Sequence, residues 1–310
     1  MRLLLIGCTG FIGRGLLPRL IQEGHELTII SRKKPGFLST ELKNRTVVHI
    51  QLNPSNRNQW KNEALEHALI KTDGVINLAG EPIAEKRWTN KHRMEIINSR
   101  IKTTELLTEA LLKMTKPPKV LINGSAIGYY GTSPNIIFNE DSPCGKDFLG
   151  ELCERWEKTA LNKPKSTRLM ILRIGIVLGH DGGALGKMLP VFKAGLGGPI
   201  GDGKQWMSWI HRNDLCQIIA TGLRNHLWTG AFNCVAPNPV SMNKFSKNLG
   251  TVLGRPTLIR VPAPILKLLL GDGAKVVLEG QNVAAEKLLK QKFKFNFPEI
   301  NQALVHSIKN

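Results

Sequence analysis

Tyrosine occurs only twice in 310 residues, and aromatic side chains of all kinds make up 6% of the chain. Aromatics are thus scarce beside the basic residues, and few positions could stack on single-stranded nucleic acid bases. No helix-turn-helix, RNA-binding or zinc pattern accompanies them, so no nucleic-acid partner is expected. The five cysteines, Cys8, Cys144, Cys153, Cys216 and Cys234, are odd in number and scattered, with no Cys-x-x-Cys pair. That excludes a disulfide framework and a zinc site, predicts no bound metal, and fits a reducing cytoplasm. Long apolar runs are also missing. The opening run from Met1 is broken by glycines and Arg14, and the run from Ile265 to Leu278 is cut by Lys267, Asp272 and Lys275. Neither approaches the roughly 20 residues that cross a bilayer, so no membrane association is expected. Acid is in short supply, with 24 acidic against 43 basic side chains and a formal charge of +19. Such a field attracts an anion.

At 42% hydrophobic, the chain folds rather than staying disordered. Strand-like apolar runs at 2–6, 26–30, 46–51, 74–78, 119–123 and 169–173 alternate with amphipathic stretches at 12–22, 60–69, 91–113 and 149–161. That order predicts an α/β fold, a Rossmann-type doubly wound parallel sheet. Gly-rich sequence from Gly179 to Gly203 and prolines from Pro237 onward mark a change. We therefore expect a nucleotide-binding domain over 1–178, completed by elements later in the chain, and a smaller α+β substrate-side region over 179–310.

Gly7-Cys8-Thr9-Gly10-Phe11-Ile12-Gly13 stands between the first strand and the first helix. There, backbone N–H groups and the positive helix end cradle a pyrophosphate, which makes Gly7, Thr9, Gly10, Phe11 and Ile12 candidate cofactor residues. Cys8 stands where the Gly-x-Gly-x-x-Gly fingerprint has its first glycine, a spacing that points to the short-chain dehydrogenase variant. The second strand ends in Ser31-Arg32-Lys33-Lys34, with no acid to hold a ribose 2′-OH. A guanidinium at Arg32 and a hydroxyl at Ser31 instead suit a 2′-phosphate, so the cofactor expected is NADP(H).

With Asn77-Leu78-Ala79-Gly80, Arg173-Ile174-Gly175-Ile176-Val177-Leu178-Gly179, Gly195 to Trp206, Ser208-Trp209-Ile210-His211, Val261-Pro262-Ala263 and Leu278-Glu279-Gly280-Gln281, the whole chain resembles extended short-chain dehydrogenases of the NAD-dependent epimerase/dehydratase type. It is most similar to their atypical "epimerase family" group, also labelled SulA-like, whose C-terminal portion is a domain of unknown function. The resemblance implies that Leu78 and Ala79 touch the cofactor through their backbone, that Glu95 and Arg100 lie near it, and that Ile176 borders the nicotinamide. Glu95 and Arg100 are five apart rather than three or four, so no ion pair is expected between them.

The family transfers protons with a serine and a Tyr-x-x-x-Lys pair. Ser125 stands at the serine position, after a strand, but Leu149 replaces the tyrosine and Cys153 the lysine. Substitutes are Tyr129 or Tyr130 as proton donor, Tyr130 being the candidate we name, Glu157 as a base if buried, and Cys153 as a nucleophile if its pKa is depressed. His211 suits acid–base work near neutral pH, or forms a loop-to-helix connection with Asp214 as N-cap. Trp206 and Trp209 serve as a stacking wall or as core. The candidate catalytic set is Ser125, Tyr130 and His211. Two functions stay open: an NADP-dependent oxidoreductase or epimerase-like enzyme acting on a small molecule, and a redox-silent NADPH sensor or regulator, for example in cell or plastid division. A homodimer is compatible with either.

Overall fold

The computed structural model describes residues 1–34, 36–38 and 47–309. Its first strand, β1 (Arg2–Ile6), shows why helices lie on both sides of the sheet. Leu3 and Leu5 enter one core, Leu4 and Ile6 the other, and all four are buried. Successive side chains leave a strand on opposite faces, so a run apolar throughout requires cover on both. β2 (Glu26–Ser31), β3 (Val47–Gln51), β4 (Gly74–Asn77), β5 (Val120–Ala126), β6 (Arg168–Ile174) and β7 (Gly230–Cys234) complete a seven-stranded sheet in the order β7-β6-β5-β4-β1-β2-β3, with every pairing parallel. The winding reverses between β1 and β4, the switch point at which open α/β sheets receive ligands beyond the carboxyl ends of their strands. Ile6 pairs with both Ile30 and Asn77, so the ends of β1, β2 and β4 stand level around that point.

One face is covered by the helices Phe11–Gln22 and Arg212–Arg224 through Leu16, Leu20, Leu215 and Ile219, the other by Glu63–Lys71 and Asn90–Leu112 through Leu65, Leu69, Leu107 and Leu111. A third core around Leu178, Phe192, Trp209, Phe245 and Leu304 gathers the helices Gly183–Lys193, Met242–Leu253 and Ile300–Lys309. The sheet therefore takes its edge strand and one covering helix from beyond residue 178. No helix among the described residues is long and apolar enough to cross a membrane.

Two boundaries differ from expectation by three residues. β5 runs on through Gly124, Ser125 and Ala126, which pair with Leu172, Arg173 and Ile174 of β6, so Ser125 sits inside the strand rather than after it. Trp60 closes a short 3-10 turn, and the next helix starts at Glu63 because the Asn62 side chain caps the Leu65 N–H. Thr46, expected to open the third strand, lies outside the described residues.

Candidate cofactor and active site

The loop after β1 turns sharply at Gly7, whose φ of +73° is a left-handed conformation. A Cβ there would run into the backbone of Leu78 and Ala79, and one on Gly13 into the carbonyl of Cys8. Both glycines are therefore needed for the fold itself. Gly10 differs: a Cβ built on it meets no atom of the described residues within 4 Å, so it opens onto the space beyond the strand ends at the switch point, the candidate cofactor groove. Gly10 caps the Phe11–Gln22 helix without a side-chain bond, and no acid follows in the first turn. The first bond of the helix runs from Arg14 N–H to Gly10 O, which leaves the N–H groups before it without carbonyls of the helix to bond. Together with the helix dipole these donors suit a diphosphate. Phe11 is held from the far side, packed against Gly179, Gly182 and Gly183 with the Arg212 guanidinium 4.8 Å from its ring, while Ile12 packs half-buried on the main core. Thr9 lies half-buried beside Gly10.

At the end of β2 the two expected phosphate ligands fare differently. The Ser31 hydroxyl is buried, donates to Lys33 O at 2.6 Å and lies 2.9 Å from His49 Nε2, so its proton is already used inside the loop. Arg32 is 69% exposed and approaches Glu81 across the groove at 3.5 Å. Lys86 approaches the same carboxylate at 3.2 Å.

Across the groove, Leu78 N–H donates to Ile6 O and Ala79 N–H to Asn77 Oδ1, which fixes the turn after β4 against β1. Gly80 leaves room for the Arg100 guanidinium, since a Cβ there would come within 3.0 Å of it. Arg100 donates to the carbonyls of Glu81 and Ile96, lies 5.4 Å from the Trp156 ring, and pairs with no carboxylate among the described residues. Burial lowers its pKa below the usual guanidinium value. A cation held this way calls for an anion. Glu95 bonds His92 instead, at 3.3 Å. Glu81, His92 and Glu95 bring one ligand-type atom each within 4.8 Å of one another. Arg32 and Lys86 already neutralise Glu81, so this cluster reads as ion pairing rather than a cation site.

The chemical end of the groove is organised around Ser125. Its Oγ donates to Glu157 Oε1 at 2.6 Å, and both residues are buried. Arg173 grips Glu157 bidentately, Nε to Oε1 at 3.0 Å and Nη2 to Oε2 at 2.9 Å. Burial alone would lower the Arg173 pKa, but the adjoining carboxylate raises it overall. Arg173 Nη1 also donates to Tyr130 Oη at 2.9 Å and to Glu140 O, and its guanidinium carbon lies 3.5 Å from the Tyr129 ring centre. The Tyr130 hydroxyl is committed to protein partners, Asn233 and Arg173. The residue is 3% exposed, stacks on Phe138, and donates to Asn233 Oδ1 at 2.6 Å, and burial pushes its pKa up to about 12. Cys153 lies beside Ser125 with its thiol pushed up to about 12 by burial, and such a thiol stays protonated and unreactive.

His211 also stands away from the groove. It is 2% exposed, accepts the Asn213 N–H at Nδ1, and lies 3.2 Å from His306 Nδ1 through Nε2. It is thus itself the N-cap of Arg212–Arg224, where Asp214 was expected. Asp214 accepts from Asn296 and Phe297 and ties down the C-terminal segment. Burial, helped by neighbouring His306 and Arg212, lowers His211 to about 3, so it is neutral near pH 7. Trp209 is core, Trp206 bonds Pro134 O from the surface, and Ile176 is half-buried with its N–H on Ser208 O.

The model for the NAD dependent epimerase/dehydratase family matches residues 3–234, and one for a domain of unknown function, DUF1731, matches 261–307. The chain belongs to the NAD-dependent epimerase/dehydratase family. Within that family it is 40% identical to the chloroplastic epimerase family protein SDR39U1 homolog of Arabidopsis thaliana over 96% of this chain and 84% of that one. It is 38% identical to human epimerase family protein SDR39U1 over 98% of both. A crystal structure of the human protein with NADPH superposes with a TM-score of 0.89 at 35% identity, covering 100% of each chain. A UDP-glucuronic acid 4-epimerase from Bacillus cereus shares the fold at 18% identity, with a TM-score of 0.79.

Sequence reasoning on this family member missed Glu81, Lys86 and the Glu157–Arg173 pair as a unit. Glu81 follows the Asn77–Gly80 motif directly, so its adjacency was a usable signal. Nothing in the sequence announces that a helix residue and a strand residue, Glu157 and Arg173, meet in the core.

Proposed function

We propose that this chain binds NADP(H) and acts as an atypical short-chain dehydrogenase/reductase, an oxidoreductase or epimerase-like enzyme, on a small molecule in the cytoplasm. The reading is carried by the end of β2, where Arg32 faces the groove with no acid beside it on the strand, next to a helix N-terminus that no side chain caps among the described residues. The Gly10–Ile12 backbone would take the diphosphate, Arg32 the 2′-phosphate, and Leu78, Ala79, Glu95, Arg100 and Ile176 would border the remainder. NADP(H) supplies hydride exchange at its nicotinamide. In this reading Ser125 supplies the proton path: its own hydrogen is given to Glu157, which leaves its lone pairs to accept from a substrate O–H. When a substrate alcohol is oxidised, its proton passes to Ser125 as the serine proton moves to Glu157.

The second reading, a redox-silent NADPH sensor, is favoured by one observation: Tyr130 is locked in the core, and no tyrosine or lysine stands at positions 149 and 153. Titrating purified protein with NADPH and NADH, then following nicotinamide absorbance with a panel of carbonyls and alcohols, separates the two. Turnover that falls in Ser125→Ala supports the enzyme, whereas tight binding with no turnover across the panel supports the sensor. Arg32→Ala should weaken NADPH far more than NADH, and equal loss would sink the NADP(H) assignment.

A further inference from the structure

We propose that Glu81 is a resident carboxylate at the 2′-phosphate subsite, one that the cofactor's phosphate must displace from Arg32 and Lys86, and that it thereby limits the preference for NADPH over NADH. This rests on the NADP(H) reading above. The two cations take one oxygen each: Lys86 Nζ lies 3.2 Å from Oε1 and Arg32 Nη2 3.5 Å from Oε2. The carboxylate is the fixed member of the trio. Its side chain is 13% exposed, its N–H donates to Ser99 Oγ at 2.9 Å, and its carbonyl accepts from Arg100 at 3.0 Å. Arg32 and Lys86, at 69% and 60% exposure, are the mobile members on long stems. A phosphate dianion, with more charge and three acceptor oxygens, outcompetes a single carboxylate for a guanidinium fork. The displaced Glu81 side chain is mostly enclosed, on a backbone bonded on both sides, so it stays beside the phosphate as a like charge. NADH carries no charge at that position and meets no such opposition. Lys86, which no motif pointed to, becomes a second phosphate ligand.

The test is equilibrium binding of NADPH and NADH, measured by calorimetry on wild type, Glu81→Gln, Arg32→Gln and the double variant at low and physiological salt. Glu81→Gln should tighten NADPH about fivefold at low salt, less at high salt as screening grows, and leave NADH within about twofold. In the Arg32→Gln background most of that gain should vanish, because the two side chains act as a pair. Lys86→Gln should weaken NADPH about threefold relative to NADH, a result readable even if position 81 tolerates no change. Weaker NADPH binding in a folded Glu81→Gln protein, or equal shifts for both cofactors, would overturn the proposal. If instead Arg32→Gln alone fails to separate the cofactors, it is the NADP(H) reading that falls.

Discussion

The two ends of the groove differ in what their polar groups do. At the phosphate end, helix N–H groups, Arg32 and Arg100 keep bonding capacity in reserve. At the chemical end, Ser125, Glu157, Arg173, Tyr130 and Asn233 bond one another in an unbroken chain. Reserved donors mark a place where a ligand completes the structure. Saturated ones mark architecture. Charge is distributed accordingly, paired at the chemical end and left positive where phosphates are expected.

The sharpest attack on that contrast is Arg173→Met. It strands Glu157 as an unpaired buried carboxylate, and urea unfolding should show a loss of about 3–5 kcal/mol. A loss under about 1 kcal/mol would mean that the chemical end is not held by this pair. Next in size are the loop glycines. Gly7→Ala forces a side chain into a left-handed turn against backbone and should cost about 2–3 kcal/mol of stability. Gly10→Ala should cost about 1 kcal/mol or less yet weaken NADPH about tenfold, since the added methyl projects into the groove. Similar stability losses for the two would erase the distinction between fold glycine and ligand glycine.

A smaller effect concerns pH. The folded pKa of His211, about 3, lies below the unfolded value of 6.5. The unfolded chain therefore binds the extra proton first, and stability present above pH 6.5 is lost as pH falls toward 3, at up to ~1.4 kcal/mol per pH unit for this one group. His211→Asn, which keeps an acceptor for the Asn213 N–H, should flatten that slope when urea unfolding is compared at pH 7 and pH 4.5. An unchanged slope would remove His211 as its source. The smallest expected signal is chemical. Burial pushes Cys153 and Cys216 up to about 12, and Cys8 and Cys234 higher still, whereas Cys144 is less buried and less shifted. Alkylation followed by mass spectrometry at pH 7.5 should label Cys144 first, and early labelling of Cys153 would contradict its burial beside Ser125.

What could be read in the chain followed from how local each signal is. β1, its glycine loop and β2 are contiguous, and apolar runs buried on both faces stand out without any partner in view. β7 does not: Gly-Ala-Phe-Asn-Cys is short and carries a polar residue, because Asn233 is there to receive Tyr130. His211 looked like an acid–base group because its partners, Phe297 and His306, come from the far end of the chain. The expectation that Glu95 and Arg100 do not pair rested on helix geometry alone, and each has other partners. Arg100 over Gly80 and Arg32 against Glu81 are products of the β4 turn, and no spacing rule brings together residues so far apart.

The edge strand β7 also gives the sheet a history. Synthesis delivers β6 well before its outer neighbour, and at roughly 5–20 residues per second the roughly fifty residues between Ile174 and Gly230 occupy on the order of three to ten seconds. Throughout that interval Leu169, Met170, Ile171 and Leu172 present an open apolar edge, of the kind that recruits foreign strands. A nascent chain of this protein is therefore most exposed to mispairing, and most in need of a chaperone, after β6 has emerged and before residue 234 has followed.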